Sequence, residues 1–265
     1  NLNDKNSFRL GVSKTYTLPQ AKEISPYRYV GVNFNSQGNP NLKPSDHYNL
    51  DLKWDFNPTP TELISLTAFY KLIKNPISRI EVASAGGYLS YENIADKATV
   101  AGVEVEIRKN LFVRPVSNAA HGMNKLSLGL NGSYIYTNAK MPLATVTTGS
   151  QLEGAAPWIV NFDLSHNFTK GERSFVNTLV LNYVSDKIYT IGTQGYQDMM
   201  EQGVLTLDFV SQAKLNKHLS FNLKARNLLN PSYKLSRKAN ENGEKVILND
   251  YKKGINISLG VSCTF

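Results

Sequence analysis

The sequence predicts an all-β protein, an antiparallel transmembrane β-barrel with about ten strands in this chain. Three observations predict this fold class. Apolar residues recur at every second position, the segments that contain them are long, and short connections alternate with long ones. A period of two is typical of strands, because successive side chains of a strand point to opposite faces, whereas a helix places its apolar residues three and four positions apart.

Each predicted strand depends on its own alternating row of apolar residues. The rows are, in chain order, Phe8, Leu10, Val12; Tyr48, Leu50, Leu52, Trp54, Phe56; Ile64, Leu66, Ala68, Tyr70, Leu72; Ala101, Val103, Val105, Ile107; Leu126, Leu128, Leu130, Tyr134, Tyr136; Trp158, Val160, Phe162, Leu164; Leu179, Leu181, Tyr183; Leu205, Leu207, Phe209; Leu219, Phe221, Leu223, Ala225; and Ile255, Ile257, Leu259, Val261, Cys263, Phe265. Many of the aromatic members lie near strand ends, where the interfacial girdle residues of membrane barrels are found.

These rows divide the chain into ten predicted strands, most of them longer than the roughly 9–11 residues that a tilted strand needs to cross a bilayer. In order they cover residues 7–17, 44–57, 61–74, 90–109, 124–138, 155–168, 174–189, 200–214, 217–236 and 246–265. The residues between the apolar positions are rich in Asn, Ser, Thr, Asp and Lys, which suits a wall with lipid on one side and a wet lumen on the other.

The connections predict the orientation of the barrel. Those after strands two, six and eight are short, and those after strands one, three, five, seven and nine are long and rich in Gly, Asn, Ser, Pro and charged residues. Outer-membrane barrels have tight periplasmic turns and larger external loops, so the first strand starts, and the tenth ends, in the periplasm. The connection at 110–124 is longer than this rule predicts.

The composition excludes several classes of function. The net charge is +8, but Lys and Arg are scattered and form no basic helix or nucleic-acid motif, which indicates a mildly basic solvated surface. A single cysteine, Cys263, allows no internal disulfide and no site of several cysteines. The four histidines, His47, His121, His166 and His218, are far apart and form no metal-ligand motif, so no cofactor is expected.

Four stretches, in this order, resemble the C-terminal barrel half of TonB-dependent outer-membrane receptors. They are GNPNLKPSDHYNLDLKW at 38–54, LISLTAFYKLIKNPI at 63–77, YENIADKATVAGVEVEIRK at 91–109, and ARNLLNPSY at 225–233 followed by GINISLGVSCTF. The third contains the family's Gly-x-Glu-x-Glu pattern at Gly102, Glu104 and Glu106. The sequence, particularly NPISRI and the FRLGVSKTYTLPQAKEISPY segment near its start, is most similar to receptors of the Bacteroidetes type.

The resemblance implies that residues 1–265 form the C-terminal portion of a barrel of about 22 strands, whose plug domain and N-terminal strands are not in this sequence. It implies a non-enzymatic transporter in the outer membrane of a Gram-negative bacterium. Such a receptor binds a nutrient at its extracellular loops and imports it through the plugged barrel with energy from the TonB complex. The implied partners are TonB, outer-membrane lipid and lipopolysaccharide, and a surface lipoprotein lid.

The last strand also resembles the terminal signal read by the barrel-assembly machinery. That signal is a glycine, two residues, an apolar residue, any residue and a final aromatic, which correspond here to Gly260, Cys263 and Phe265. Phe265 is the expected recognition residue. A plain lipid-facing phenylalanine would give the same pattern, and both roles can hold together.

Ligand-binding candidates lie in the predicted external loops, where aromatic and polar residues suit stacking on sugars, peptides or chelates. They are Tyr27, Arg28, Tyr29, Tyr88, Tyr91, Tyr189 and Tyr196, with Arg79 nearby. Glu104 and Glu106, two residues apart, are expected on the lumen side of their strand. They could act as acid and base or attract a cation, and pairing with neighbouring basic groups is the alternative.

Two other functions stay open from the sequence. Asp46 and His47 at a predicted external rim favour a self-contained ten-stranded porin or hydrolase, although adjacent strand residues face opposite ways, which disfavours cooperation between them. A soluble β-sandwich binding module would also alternate apolar and polar residues, because it buries the apolar rows between two sheets.

Overall fold

The computed structural model describes residues 5–82, 87–116, 122–141, 151–239 and 243–264. Within these ranges the backbone forms eighteen strands and one short helix, and no helix there is long and apolar enough to cross a membrane. The elements are β1 (Asn6–Thr17), α1 (Ala21–Ile24), β2 (Arg28–Tyr29), β3 (Ser36–Gln37), β4 (Ser45–Phe56), β5 (Leu63–Lys74), β6 (Ile77–Val82), β7 (Tyr88–Asn93), β8 (Lys97–Pro115), β9 (Met123–Ala139), β10 (Trp158–Lys170), β11 (Arg173–Val184), β12 (Lys187–Thr190), β13 (Met199–Glu201), β14 (Val204–Lys214), β15 (Leu219–Arg226), β16 (Ser232–Lys238), β17 (Lys245–Lys252) and β18 (Asn256–Cys263).

Ten of these strands form one antiparallel sheet, which we call the wall. Its order is β1-β4-β5-β8-β9-β10-β11-β14-β15-β18, so the wall strands pair in the order in which they occur along the chain. The predicted number of long strands and their antiparallel sense are therefore confirmed. In the part of the chain that the structure describes, β1 and β18 each pair on one side only, which leaves the wall with two open edges.

Cross-strand register places the apolar residues in continuous rows on one face of the wall. One row runs from Leu10 through Leu52, Ala68 and Val103 to Tyr134. Its side chains are open to the surroundings, since Leu10 is 71% and Leu52 51% exposed. The sandwich alternative is therefore wrong, because a sandwich covers such rows with a second sheet. We call this apolar side the outer face.

The opposite face of the wall is polar, and it holds the wall's buried charges and hydroxyls. Asp55, Ser65 and Ser133 are buried there, with exposed fractions of 5%, 3% and 9%. Asp55 forms ion pairs with Arg9 on the neighbouring strand (3.1 Å) and with Lys53 on its own strand (3.5 Å). A wall that buries polar groups and exposes apolar ones suits lipid outside and water inside.

Steric crowding explains why the first residue of the Gly-x-Glu-x-Glu segment is glycine. Gly102 lies opposite Phe69 of the neighbouring strand. A methyl group at Gly102 would overlap the Phe69 ring and the backbone oxygen of Tyr134. Glycine at this position therefore lets an aromatic ring lie close to the polar face of the wall.

The connections between wall strands differ sharply at the two ends of the wall. Residues 18–44, 75–96, 140–157, 185–203 and 227–255 connect strands at one end, which we call the loop end. The connections at the other end, the turn end, are short and cover 57–62, 116–122, 171–172 and 215–218. The sequence predicts a long connection after β8, at 110–124. The connection is shorter than predicted because β8 continues to Pro115 through a register shift between Asn110 and Phe112.

The hydrophobic core of the molecule lies at the loop end. Two four-stranded sheets form there, with the orders β2-β3-β7-β6 and β12-β13-β16-β17, and a parallel bridge between Ile80 and Ile191 joins them. One buried cluster contains Ile80, Ile94, Ala95, Ala98, Ala139, Leu152, Ile188 and Ile191, and a second contains Leu89, Met199 and Leu235. The described parts of the long connections are thus folded structures.

Five predicted strands each combined a wall strand with a loop strand. They are the strands predicted at 90–109, 174–189, 200–214, 217–236 and 246–265. The alternation continues across each break because both pieces are strands, and only the turn between them separates the two sheets. At the break between β15 and β16, Asn227 and Asn230 adopt positive φ angles of 58° and 42°. Asparagine tolerates this left-handed region better than most residues, so the turn is local chemistry that a period-two pattern does not register.

Candidate functional site

The loop end brings residues from four long connections together around two arginines. Strand β6, in the connection after β5, alternates Arg79, Ile80 and Glu81. Ile80 is buried in the core, so Arg79 and Glu81 project from the opposite face of the strand. We call the contacts of these two residues the loop junction.

Arg79 forms the first half of the loop junction. Its guanidinium lies 2.9 Å from the Glu153 carboxylate in the connection after β9, and its backbone N–H donates to the same carboxylate. The guanidinium also lies over the ring of Tyr189, 4.3 Å from the ring centre, in the connection after β11. Tyr91 is the register partner of Arg79 on β7. One cation thus joins three of the long connections.

Glu81 forms the second half. Its carboxylate pairs with Arg237 of β16, in the connection after β15, and its backbone oxygen accepts a hydrogen bond from the Thr193 hydroxyl. Arg237 lies 5.3 Å from the ring centre of Tyr196. The same pattern of carboxylate, arginine and tyrosine therefore occurs on both sides of the bridge between Ile80 and Ile191.

Burial shifts the acid–base properties of the junction. It raises the pKa of the Glu153 carboxyl, against the opposing effect of the hydrogen bond and charge of Arg79. Burial also raises the pKa of the Tyr91 hydroxyl, again opposed by the charge of Arg79. Both shifts have the same cause, which is that these connections pack on one another and exclude water.

The structure brings together most of the ligand-binding residues that the sequence predicts. Arg28 lies over the ring of Tyr88, 5.5 Å from its centre. Tyr91 and Tyr189 both adjoin Arg79, and Tyr196 adjoins Arg237. Two residues lie apart from these contacts. Tyr27 is 76% exposed, and Tyr29 carries Lys22 over its ring at 5.6 Å.

Sequence reasoning missed Glu81, Glu153 and Arg237. Each is a single charge in a connection with many charged residues, and no local pattern distinguishes it. The available signal was the alternation of Arg79, Ile80 and Glu81, which predicts one buried and two paired positions without identifying the partners.

Two cavities open beside the junction. One, of about 430 Å³, is bordered by Arg237, Lys238, Lys245 and Asp186, and Lys245 pairs with Asp186 at 3.6 Å. The other, of about 290 Å³, is lined by apolar side chains with Glu23, His47, Glu153, Gln20 and the hydroxyls of Thr17, Ser45 and Ser78. Each cavity carries two carboxylates, and the two differ because the first adds three cationic groups and the second an imidazole.

The remaining predicted residues lie along the wall. Glu104 and Glu106 lie on the polar face, opposite Thr67 and Ser65. Glu106 pairs with Arg108 at 2.7 Å, which agrees with pairing to a basic neighbour.

Asp46 and His47 make separate contacts. Asp46 lies 3.4 Å from Lys14, whereas His47 Nε2 lies 2.9 Å from the Thr17 hydroxyl. Because the two side chains face opposite ways, as expected of adjacent strand residues, Asp46 does not orient His47. Among the residues described, no group of three or more His, Cys, Asp and Glu side chains is placed to hold a metal ion.

The proposed assembly signal lies on the open edge strand β18. Gly260 faces Asn222, and Cys263, which is exposed, faces Leu219 of β15. Phe265 lies outside the described residues.

Comparison with known proteins places this architecture. Residues 1–228 match the family described as TonB dependent receptor-like, beta-barrel. The iron-regulated outer membrane virulence protein of Vibrio cholerae serotype O1 is 26% identical over 208 residues, which are 75% of this chain and 29% of that protein. The chain thus spans less than a third of the length of this relative.

Solved structures share the fold. The ferric yersiniabactin uptake receptor of Yersinia pestis superposes with a TM-score of 0.62 at 16% identity, over 100% of this chain and 36% of that one. The copper transporter OprC superposes with a TM-score of 0.64 at 14% identity, over 100% of this chain and 38% of that one. The ferric enterobactin receptor of Pseudomonas aeruginosa superposes with a TM-score of 0.59 at 15% identity, over 100% of this chain and 39% of that one. At these identities the likeness concerns the fold alone.

Proposed function

Because the chain belongs to the TonB-dependent receptor-like β-barrel family, we propose that it forms the C-terminal part of an energy-coupled nutrient receptor, whose plug and N-terminal strands lie outside this sequence. The family resides in the outer membrane of Gram-negative bacteria, and the chain is a component of that membrane. The loop end therefore faces the cell exterior and the turn end the periplasm.

The observation that carries the proposal is that the wall exposes its apolar face and buries charged and hydroxyl groups on its polar face. Apolar rows such as that of Leu10 and Leu52 meet lipid, and the face that buries Asp55 and Ser133 lines a water-filled passage. The receptor binds its cargo at the loop end and releases it through the lumen when the TonB complex acts on the plug. The family is one of transporters and receptors, so we assign this chain no covalent chemistry.

We assign cargo contact to the aromatic and cationic residues of the loop end. Tyr27, Arg28, Tyr29, Tyr88, Tyr91, Tyr189 and Tyr196 supply rings, hydroxyls and charge. The loop junction holds the connections that carry several of them, because Arg79 contacts Tyr189 and Arg237 contacts Tyr196. Holding side chains in place before binding lowers the entropy cost of capture.

Metal chelates are the cargo class to test first. One relative is named as iron-regulated, and solved structures of the same fold are named as ferric yersiniabactin and ferric enterobactin receptors and as a copper transporter. A planar or anionic chelate would also fit rings and guanidinium groups, through stacking and charge-assisted hydrogen bonds.

We propose the other partners from the position of the residues in the wall. The edge strand that carries Gly260 and Cys263 and leads to Phe265 would present the assembly signal to the barrel-assembly machinery. A surface lipoprotein lid would cover the loop end. On the outer face at that end, Lys14 and Lys74 each lie 5.4 Å from the ring centre of Tyr48, and Lys14 also pairs with Asp46. We assign these two cations to contact with lipopolysaccharide phosphates.

Uptake by the source bacterium tests the function. Cells with and without the complete receptor gene would be given radiolabelled ferric enterobactin, ferric yersiniabactin or copper under metal limitation. We expect deletion to remove uptake of at least one probe, and a TonB deletion to have the same effect. If deletion of the receptor gene left the uptake of all three probes unchanged, a metal cargo would be contradicted. Receptor-dependent uptake that persists without TonB would contradict energy coupling.

A further inference from the structure

A row of polar side chains crosses the outer face near the turn end, where the neighbouring rows of β10, β11 and β14 are apolar. Register places His166 beside Asn177, and Asn177 beside Ser211. The row above contains Leu164, Leu179 and Phe209, and the row below contains Phe168, Phe175 and Ala213. The polar residues therefore share the face that meets lipid and are not part of the lumen.

These polar groups form hydrogen bonds along the outer face. His166 Nε2 donates to Asn124 Oδ1 at 2.8 Å, and the Ser211 hydroxyl donates to Asn177 Oδ1 at 2.7 Å. Each row lies about 7 Å along the strands from the next, or about 5 Å in depth at a tilt near 45°. The polar row is thus one row from the Phe168 and Phe175 ring pair, whose centres are 6.3 Å apart. Rings in this position mark the interface.

Basic residues lie directly below the polar row. Arg114 is the register partner of Asn124, so it lies on the same outer face, and its guanidinium lies 5.4 Å from the centre of the Phe112 ring. Lys170 and Arg173 are partners at the turn between β10 and β11. All three basic residues are exposed, and Glu172 in the turn reduces their net charge to about +2.

The turn end of β1 and β4 differs from this arrangement. There the outer face carries a stack of Phe8, Trp54 and Phe56, with ring centres 6.5 and 6.3 Å apart. Stacked rings are an interfacial girdle, which contacts lipid of any headgroup. The combination of amide, imidazole, hydroxyl and cationic groups is therefore a local feature of β8 to β11 and β14.

We propose that this region, which we call the turn-end patch (Arg114, Asn124, His166, Lys170 and Arg173), binds the headgroup of an anionic phospholipid in the periplasmic leaflet. The cations and the Asn124 amide meet the phosphate, and His166, Asn177 and Ser211 lie at the depth of the ester groups. The row of Leu164, Leu179 and Phe209 above them receives the acyl chains. Positive charge below and apolar rows above match the polarity of a lipid that stands in this leaflet. The site is independent of the cargo and of TonB.

Native mass spectrometry of the complete receptor tests the proposal. The detergent-purified, delipidated protein would be titrated with phosphatidylglycerol and, separately, with phosphatidylcholine of the same chains. We expect tighter binding of the anionic lipid. The triple substitution R114Q/K170Q/R173Q should weaken that binding about fivefold for each charge removed.

A matched control removes the same charge from the lumen side. K125Q/K214Q/K224Q alters three lysines of neighbouring wall strands whose register places them on the polar face, and it should leave lipid binding unchanged. Heat-modifiable gel mobility would verify that every variant is folded, and the single R114Q substitution replaces the triple one if that fails to fold. Equal binding of the two lipids, or no loss in the patch variant, would overturn the proposal. So would inorganic phosphate that displaces the lipid at equal concentration, since that result indicates a site for a small anion.

Discussion

Single side chains at the loop end determine how the long connections hold together. Arg79 contacts Glu153 and Tyr189, and Arg237 contacts Glu81 and Tyr196. Sequence reasoning found the tyrosines because aromatic residues in polar loops are conspicuous. It did not find their carboxylate partners, because an ion pair between residues far apart in the chain depends on how the connections fold over one another.

Arg79→Gln should loosen the loop end without unfolding the wall. The substitution removes the charge that pairs with Glu153, a carboxylate whose side chain is only 19% exposed, and leaves that carboxylate without its cation. Given the partial exposure of both side chains, we expect a local loss of about 1–2 kcal/mol. Hydrogen exchange of residues 75–82 and 151–157 in the complete receptor would measure it. Arg28→Gln, an equivalent change at an exposed arginine, is the control, and equal exchange in the two variants would argue against the loop junction.

Gly102→Ala should destabilise the wall. The added methyl group overlaps the Phe69 ring and the backbone oxygen of Tyr134, so the two neighbouring strands must shift. Overpacking of this kind costs about 1–3 kcal/mol. Thermal unfolding followed by gel mobility would measure the effect. Gly132→Ala in the adjacent strand is the matched control, because a methyl group there has nothing within 4 Å. If both substitutions behaved alike, the steric role of Gly102 would be wrong.

The elements of the wall were predictable because one physical cause sets their pattern. Lipid on one side and water on the other impose a period of two that runs through every wall strand, so ten strands and their antiparallel sense could be predicted. The loop sheets were not predictable as separate elements. Their strands, such as β7 and β17, continue the alternation of the wall strands that follow them, and the turns between are short. The bulge between Asn110 and Phe112 likewise interrupts the alternation, so the predicted strand ended at residue 109 although β8 continues to Pro115.

The turn between β4 and β5 should lose order in acid. The Asn110 backbone N–H donates to the Glu62 carboxylate at 3.1 Å, and this bond, with the charge of Lys109, lowers the pKa of Glu62. A lowered pKa means that the contribution is complete above the ordinary carboxyl range and is lost as the pH falls through the lowered value. Hydrogen exchange of residues 57–62 at pH values from 6 downward to about 3 would follow the loss.

Glu62→Gln provides the comparison for this titration. The amide keeps the shape of the side chain but does not titrate, so exchange in the turn should be faster at neutral pH and less dependent on pH than in the unaltered protein. A turn whose exchange followed the same pH curve in both proteins would show that another group controls it.

At the scale of the whole molecule, the open edges of the wall decide whether this chain can stand alone. Strand β1, with twelve residues, and strand β18, with eight, each have a partner on one side only among the described residues. A strand edge in hydrocarbon leaves backbone N–H and C=O groups without partners at several kcal/mol each. The self-contained ten-stranded porin or hydrolase would require these edges to meet.

The isolated chain of 265 residues should therefore not form a monomeric closed barrel in detergent. We expect the complete receptor to migrate faster unheated than heated on a detergent gel, as closed barrels do, because further strands complete its wall. The chain alone should show no such shift, and light scattering should find it associated through β1 and β18, since pairing with another copy is the remaining way to satisfy those edges. Substituting Leu10 and Val12 on β1 with proline would block pairing at that edge and should reduce the association, because proline has no N–H to donate. A heat-modifiable monomer would show instead that ten strands close on themselves, and the assignment of this chain to part of a larger wall would then be wrong.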